Sequence, residues 1–218
     1  MRVARHRALQ TTVFFALVGV CGLLQAGRRW AATPGDASKP PVLSPAAAQE
    51  LEVKLQVLQS ANATGPFRPI VITDSEANSY LKYKGQTFLP PSVQNPEVHI
   101  ASDGIHGVAD VDFNQLTKQS PSSQDWTSRF LASALTGRQR VSAVGKLDTG
   151  NGQAKVNIQN VSIGGTPVPQ VLVDWLLANY VQKQYNLDLS KPIVLPGHVS
   201  RIDLGHGEAT LVRTISLR

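Results

Sequence analysis

The chain has 218 residues, 42% hydrophobic and 17% charged. That is enough apolar material for one domain with a real core, and too little charge for a disordered or nucleic-acid-coating protein. The formal charge of +6 is uneven: residues before Ser44 carry a net +5 and the remainder +1. The globular part is therefore nearly neutral, which excludes a nucleic-acid footprint. Cys21 is the single cysteine, so neither an intrachain disulfide nor a cysteine-based metal site can form.

Residues 1–27 read as a signal anchor. Arg2, Arg5 and Arg7 precede an uncharged stretch from Ala8 to Gly27, and about 20 such residues suffice to span a bilayer as a helix. The leading arginines favour a cytoplasmic N-terminus. A cleaved signal peptide with its site near Ala26 is the alternative; the Arg28-Arg29 pair favours the uncleaved form. Cys21 follows the bulky Val20, a poor context for lipid attachment. Either reading places the rest outside the cytoplasmic membrane; the anchor makes the protein single-pass, with a periplasmic C-terminal domain. Residues 28–43, rich in Ala, Pro, Gly, Ser and Thr, form a linker.

The extracytoplasmic domain, 44–218, opens with Ser44-Pro45 as N-cap and first turn of a helix that buries Ala47, Ala48, Leu51, Leu55 and Leu58. A short strand over 67–73 ends in Thr73, with Glu76 three residues on, which predicts a capping box and a helix over Asp74–Lys84 closed by Gly85. From Val93 the period changes to two. Asp103-Gly104 joins one strand carrying Val98 and Ile100 to another carrying Ile105, Gly107, Ala109, Val111 and Phe113. The pattern over 124–135 predicts a helix closed by Gly137. A second hairpin follows, Arg138–Asp148 and Gln153–Ile163, turning at Thr149–Gly152, with a bulge near Asn160. The stretch Pro167–Tyr185 predicts a long apolar helix in which Val168, Val171, Leu172, Trp175 and Leu176 share one face and Val173, Leu177 and Val181 line another. Asp174 is its only charge between Val168 and Gln182. Residues 192–196 are extended, and Val199–Leu204 with Glu208–Leu217 make a last hairpin through Gly205-His206-Gly207. Strands separated by helices define an α+β class.

No phosphate-cradling loop and no G-x-S-x-G elbow occurs. Asp110 and Asp112 point the same way from one strand, as a carboxylate pair would, but opposite Val111 and Phe113, so the solvated face is the simpler reading. His99, His106, His198 and His206 fall in strands and turns without helical metal-ligand spacing. Asn62-Ala63-Thr64 and Asn160-Val161-Ser162 match the glycosylation pattern, which is common by chance. No catalytic residue, metal or cofactor is therefore assigned.

Several segments resemble bacterial extracytoplasmic lipid-binding proteins of the tubular, TULIP-like kind. They are Ile72-Thr73-Asp74-Ser75-Glu76-Ala77-Asn78-Ser79-Tyr80-Leu81, Val111-Asp112-Phe113, Val161 to Pro169, and Leu195-Pro196-Gly197-His198-Val199. The resemblance implies a curved antiparallel sheet of hairpins wrapped on long apolar helices, with a channel for acyl chains. On that reading Val168, Val171, Leu172, Trp175, Leu176 and Tyr180 line a lipid groove. The alternative is a non-catalytic scaffold of a cell-envelope or secretion machine, with a protein partner and a closed core. A hydrolase using Asp110, Asp112 or a histidine ranks third.

Overall fold

A computed structural model describes residues 42–59, 68–115, 136–178, 182 and 188–214. The expected membrane helix over 8–27 and the expected helix over 124–135 lie outside the described residues.

Helix α1 (Pro45–Gln59) starts where Ser44 Oγ accepts the Ala47 N–H at 3.1 Å, and buries Ala48, Leu51, Leu55 and Leu58. Strand β1 (Ile70–Thr73) runs straight into α2 (Asp74–Lys84). The predicted capping box forms: Thr73 Oγ1 accepts from Glu76 N–H, and Glu76 Oε2 accepts from Thr73 N–H at 2.9 Å. Glu76 is buried and also pairs with Lys54 of α1, whose ammonium reaches Val71 O at 2.7 Å. The two helices are thus joined at the edge of β1 by a charged pair whose carboxylate is also a helix cap.

All three predicted hairpins form. β2 (Val93–Ala101) pairs with β3 (Gly104–Asp112), and β4 (Arg138–Gly150) with β5 (Gln153–Ile163). The larger sheet has the order β2-β3-β4-β5-β6, where β6 is Thr166–Pro167; β7 (Ile193–Val194) also pairs with β5. β8 (Val199–Leu204) and β9 (Glu208–Arg213) join β1 in a smaller sheet, β1-β9-β8. Every pairing is antiparallel.

The central strands β3 and β4 keep one parity of buried residues, whereas their outer neighbours change it. β2 shifts register between Gln94 and Glu97, with Asn95 at φ 47°, and Asn160 at φ 50° marks the predicted bulge in β5. Asparagine tolerates this left-handed backbone. An extra residue there bends the outer strands and keeps their apolar side chains on the inner face.

That inner face carries two hydrophobic clusters. One joins Leu51, Leu55 and Leu58 of α1, Tyr80 and Leu81 of α2, and Ile72, Ile202 and Leu211 of the smaller sheet to Val98, Ile100 and Ile105. The second holds Val93, Val111, Phe113, Val141, Val156, Ile158, Val161 and Ile163. Above the second lies α3 (Gln170–Leu176). Gly197, at φ 66°, brings the chain so close to α1 that an added Cβ would sit 2.5 Å from Leu58 O.

Side chains close the sheet edges. Asn78 of α2 treats β2 as a strand would: its Nδ2 donates to Val98 O at 2.6 Å and its Oδ1 accepts from Val98 N–H at 2.7 Å. One turn earlier Asp74 Oδ1 accepts from Ile100 N–H at 2.8 Å, and Gly207 N–H donates to Ile100 O at 2.7 Å. At the smaller sheet Thr149 Oγ1 both donates to Ile202 O and accepts from Ile202 N–H, each at 3.0 Å.

The α+β expectation of a sheet wrapped on long apolar helices is overturned. The domain is mostly antiparallel sheet with short helices. Among the described residues no helix is long and apolar enough to cross a membrane. The reason is packing: one end of the inner face is covered by the smaller sheet with α1 and α2. In the stretch expected to form one long helix, α3 is followed by helical residues at 177–178 and 182, and 179–181 and 183–187 lie outside the described residues.

Replacing Asn78 by Ala strips two buried backbone groups of Val98 of their partner, at roughly 1–3 kcal/mol each. Equilibrium denaturation of Asn78→Ala should show a loss of about 2–6 kcal/mol. Tyr80 is buried, and its hydroxyl pKa is raised by that burial and by Glu52. A folded pKa above the unfolded one gives stability that is fully present below about pH 10 and lost as pH climbs through the folded value. Tyr80→Phe should therefore flatten the alkaline limb of a stability-versus-pH curve measured between about pH 9 and 12.

Candidate functional site

The end of β5 turns through Gly164 and Gly165, at φ 55° and 102°, into β6. Val168 N–H donates to Val161 O at 2.8 Å, so Val168 belongs to the extended approach and not to the helix. Proline explains this: a residue before proline is driven out of the helical region, and Val168 precedes Pro169. Pro169 is the N-cap, with no side-chain hydrogen bond at the cap.

Starting at Gln170 changes which residues face the sheet. Val173 and Leu176 are the buried residues of α3, and Val173 joins the second cluster. Val168, Leu177 and Leu189 pack partly against the same cluster. Val171 is 78% exposed, and Leu172 and Trp175 are half-buried. The strip expected to act as one face is therefore divided: Val168 and Leu176 go to the sheet side, Val171 to the outside, and Leu172 and Trp175 lie between. Tyr180 lies outside the described residues. The buried pair starts from Val173, in the second strip of the sequence reading.

Gln170 carries no chemical signature in the sequence, yet it ties α3 to the sheet. Its Nε2 donates to Asp174 Oδ1 at 2.9 Å and reaches Ile158 O at 3.4 Å. A polar residue opening an otherwise apolar run is the one available signal.

The titratable groups weighed as catalytic candidates are placed structurally. Asp112 Oδ1 accepts from the N–H groups of Asn114 and Gln115, and Asp110 Oδ2 accepts from Asn95 Nδ2 at 2.9 Å. Asp110 sits across from Arg140, and Asp112 across from Arg138, on the polar face of the sheet. His99 Nδ1 lies 2.6 Å from Asp74 Oδ2, and His106 Nε2 lies 3.1 Å from Asp103 Oδ1. The His106 hydrogen bond holds the Asp103 carboxyl below the usual carboxylate range. His99 and His106 are cross-strand partners with ring centroids 6.3 Å apart. Even so, no group of three or more His, Cys, Asp or Glu among the described residues could hold a metal ion.

No protein-family model matches the chain, and no curated protein matches it.

The two sides of α3 make opposite demands on stability. Val173→Ala removes buried methyl groups and should cost about 2 kcal/mol. Val171→Ala, on the exposed side, should stay within about 0.5 kcal/mol. Urea denaturation of the two variants checks the assignment of faces; equal losses would contradict it.

Proposed function

We propose that this is a non-catalytic extracytoplasmic domain, tethered to the membrane through residues 8–27, that binds the acyl chain of a lipid or another amphiphile at the α3 end of the larger sheet. The observation that carries this reading is the two-sided apolar character of α3. Val173 and Leu176 are buried, yet Val171 stands 78% exposed, with Leu172 and Trp175 half-buried beside it. A helix apolar on both sides calls for apolar cover on both.

An acyl chain supplies such cover without any dedicated polar contact. Each buried CH₂ contributes about 0.8 kcal/mol, so micromolar affinity, about 8 kcal/mol, takes roughly ten methylenes before the cost of association and about fifteen or more after it.

The test is titration of the delipidated full-length chain with a fluorescent fatty acid, with lipid mass spectrometry of the protein as purified. Saturable binding is expected, and Val171→Asp should weaken it while leaving the denaturation midpoint close to that of the parent. Absence of both saturable binding and co-purifying lipid would sink the reading and favour a scaffold role, which crosslinking to a fixed envelope partner would then have to establish.

A further inference from the structure

His99 of β2 and His106 of β3 stand directly opposite one another in the larger sheet. Val98 and Ile100, on either side of His99, turn their backbone groups away from β3, to Asn78, Asp74 and Gly207. His99 is therefore the residue whose backbone bonds to β3, which sets its Cα about 5.5 Å from that of His106. Val98, Ile100 and Ile105 are buried, so both imidazoles emerge on the polar outer face. Their ring centroids are 6.3 Å apart, and the His99 side chain is 51% exposed.

A carboxylate stands at each ring. Asp74 Oδ2 lies 2.6 Å from His99 Nδ1, and Asp103 Oδ1 lies 3.1 Å from His106 Nε2. A carboxylate only accepts hydrogen bonds, so the ring nitrogen facing it carries the proton. In the neutral imidazole the lone pair then belongs to the other nitrogen, Nε2 of His99 and Nδ1 of His106. This is the form that binds metal: a ligating histidine as a rule donates its second N–H to a carboxylate, which orients the ring and raises its basicity. Asp74 is itself fixed, because its Oδ1 accepts the Ile100 N–H at 2.8 Å. Two carboxylates beside the pair favour a dication; Lys146, whose charge acts on Asp103, opposes it.

We propose that His99 and His106 form a two-histidine site for a divalent late first-row metal, Zn²⁺ or Cu²⁺, with Asp74 and Asp103 as positioning residues and water completing the shell. Imidazole suits these ions, whereas Mg²⁺ and Ca²⁺ take oxygen ligands. An ion about 2.0–2.1 Å from one nitrogen of each ring brings the centroids to roughly 5–6 Å, a small closure for side chains at the surface. It competes there with whatever hydrogen bond each lone pair accepts. The bound ion links β2 to β3 and, through Asp74, to the start of α2. The site is independent of amphiphile binding.

The test is calorimetric titration of the metal-stripped full-length chain with zinc chloride, with electron paramagnetic resonance of the copper-loaded chain to count nitrogen ligands. One ion per chain is expected, Cu²⁺ tighter than Zn²⁺, with two imidazole nitrogens in the copper spectrum. His99→Gln and His106→Gln should each weaken binding by more than the roughly tenfold expected of Asp103→Asn, which removes one orienting carboxylate and keeps a pair well suited to the hairpin turn. His198→Asn, at the end of β8 away from the Gly207 turn, should leave binding unchanged. Melting curves in chelator show whether each variant folds; if His99→Gln does not, His106→Gln and the copper spectrum decide. No saturation below millimolar zinc, binding that survives both histidine substitutions, or fewer than two nitrogens on copper overturns the site. Loss with either histidine but none with Asp103→Asn overturns the positioning role of Asp103.

Discussion

The carboxamide of Asn78 seated against the backbone of Val98 is the contact on which the arrangement of the two layers depends. β2 is the outer strand of the larger sheet and would otherwise present unpaired N–H and C=O groups at a buried edge. Such groups are costly unless paired. α2 supplies the partners from side chains one helical turn apart, Asp74 at Ile100 and Asn78 at Val98, because one turn rises by nearly the advance of two strand residues. The helix can lie along the edge only in that register. Once it does, Ala77, Tyr80 and Leu81 are committed to the core, and Thr73 is placed to cap the helix from the end of β1. Thr149 repeats the device at β8, where one hydroxyl replaces a strand. The two sheets are held together by polar side chains at edges as well as by apolar burial between faces.

Much of this fold was legible because its signals are local. Asp103-Gly104 and Asn151-Gly152 announce tight turns, Thr73 and Glu76 announce a cap, and the change of parity around Asn160 announces a bulge. Each concerns residues within a few positions of one another. Asn78 and Thr149 are different: their partners lie 20 and 53 residues away. Nothing in their neighbourhoods separates them from a helical surface amide and a turn hydroxyl. The candidate site was half legible for a related reason. The apolar run was plain, but Pro169 moved the start of α3 to Gln170 and so rotated the choice of buried residues to Val173 and Leu176. The fold class went astray because long apolar helices were given a sheet to wrap them. The antiparallel sheet instead covers part of its apolar side with a second sheet.

The two edges of the larger sheet differ in kind. At β2, short and buried hydrogen bonds from α2 act together with the turn of the β8–β9 hairpin. At β5, the strands that close the edge are two residues long, and the bond between them is a long one. Local opening follows the weaker contacts, and the β2 edge is the more firmly closed of the two. The polar outer face plays no part in this. Its cross-strand pairing of Asp110 with Arg140 and Asp112 with Arg138 sets acids opposite bases and leaves the surface balanced, in keeping with a domain of net charge near zero.

Asn160 has a further consequence for how the chain tolerates change. Before it, Val156 and Ile158 occupy even positions on the inner face; after it, Val161 and Ile163 occupy odd ones. The single additional residue works as a frameshift in the spatial sense. A deletion of one residue between Ile158 and Val161 would turn Val161 and Ile163 toward water and redirect the Gly164-Gly165 turn, and with it α3. A substitution there changes one side chain, whereas a change of length re-addresses everything downstream. Variation in this protein should therefore be far freer in the identity of the residues along β5 than in their number.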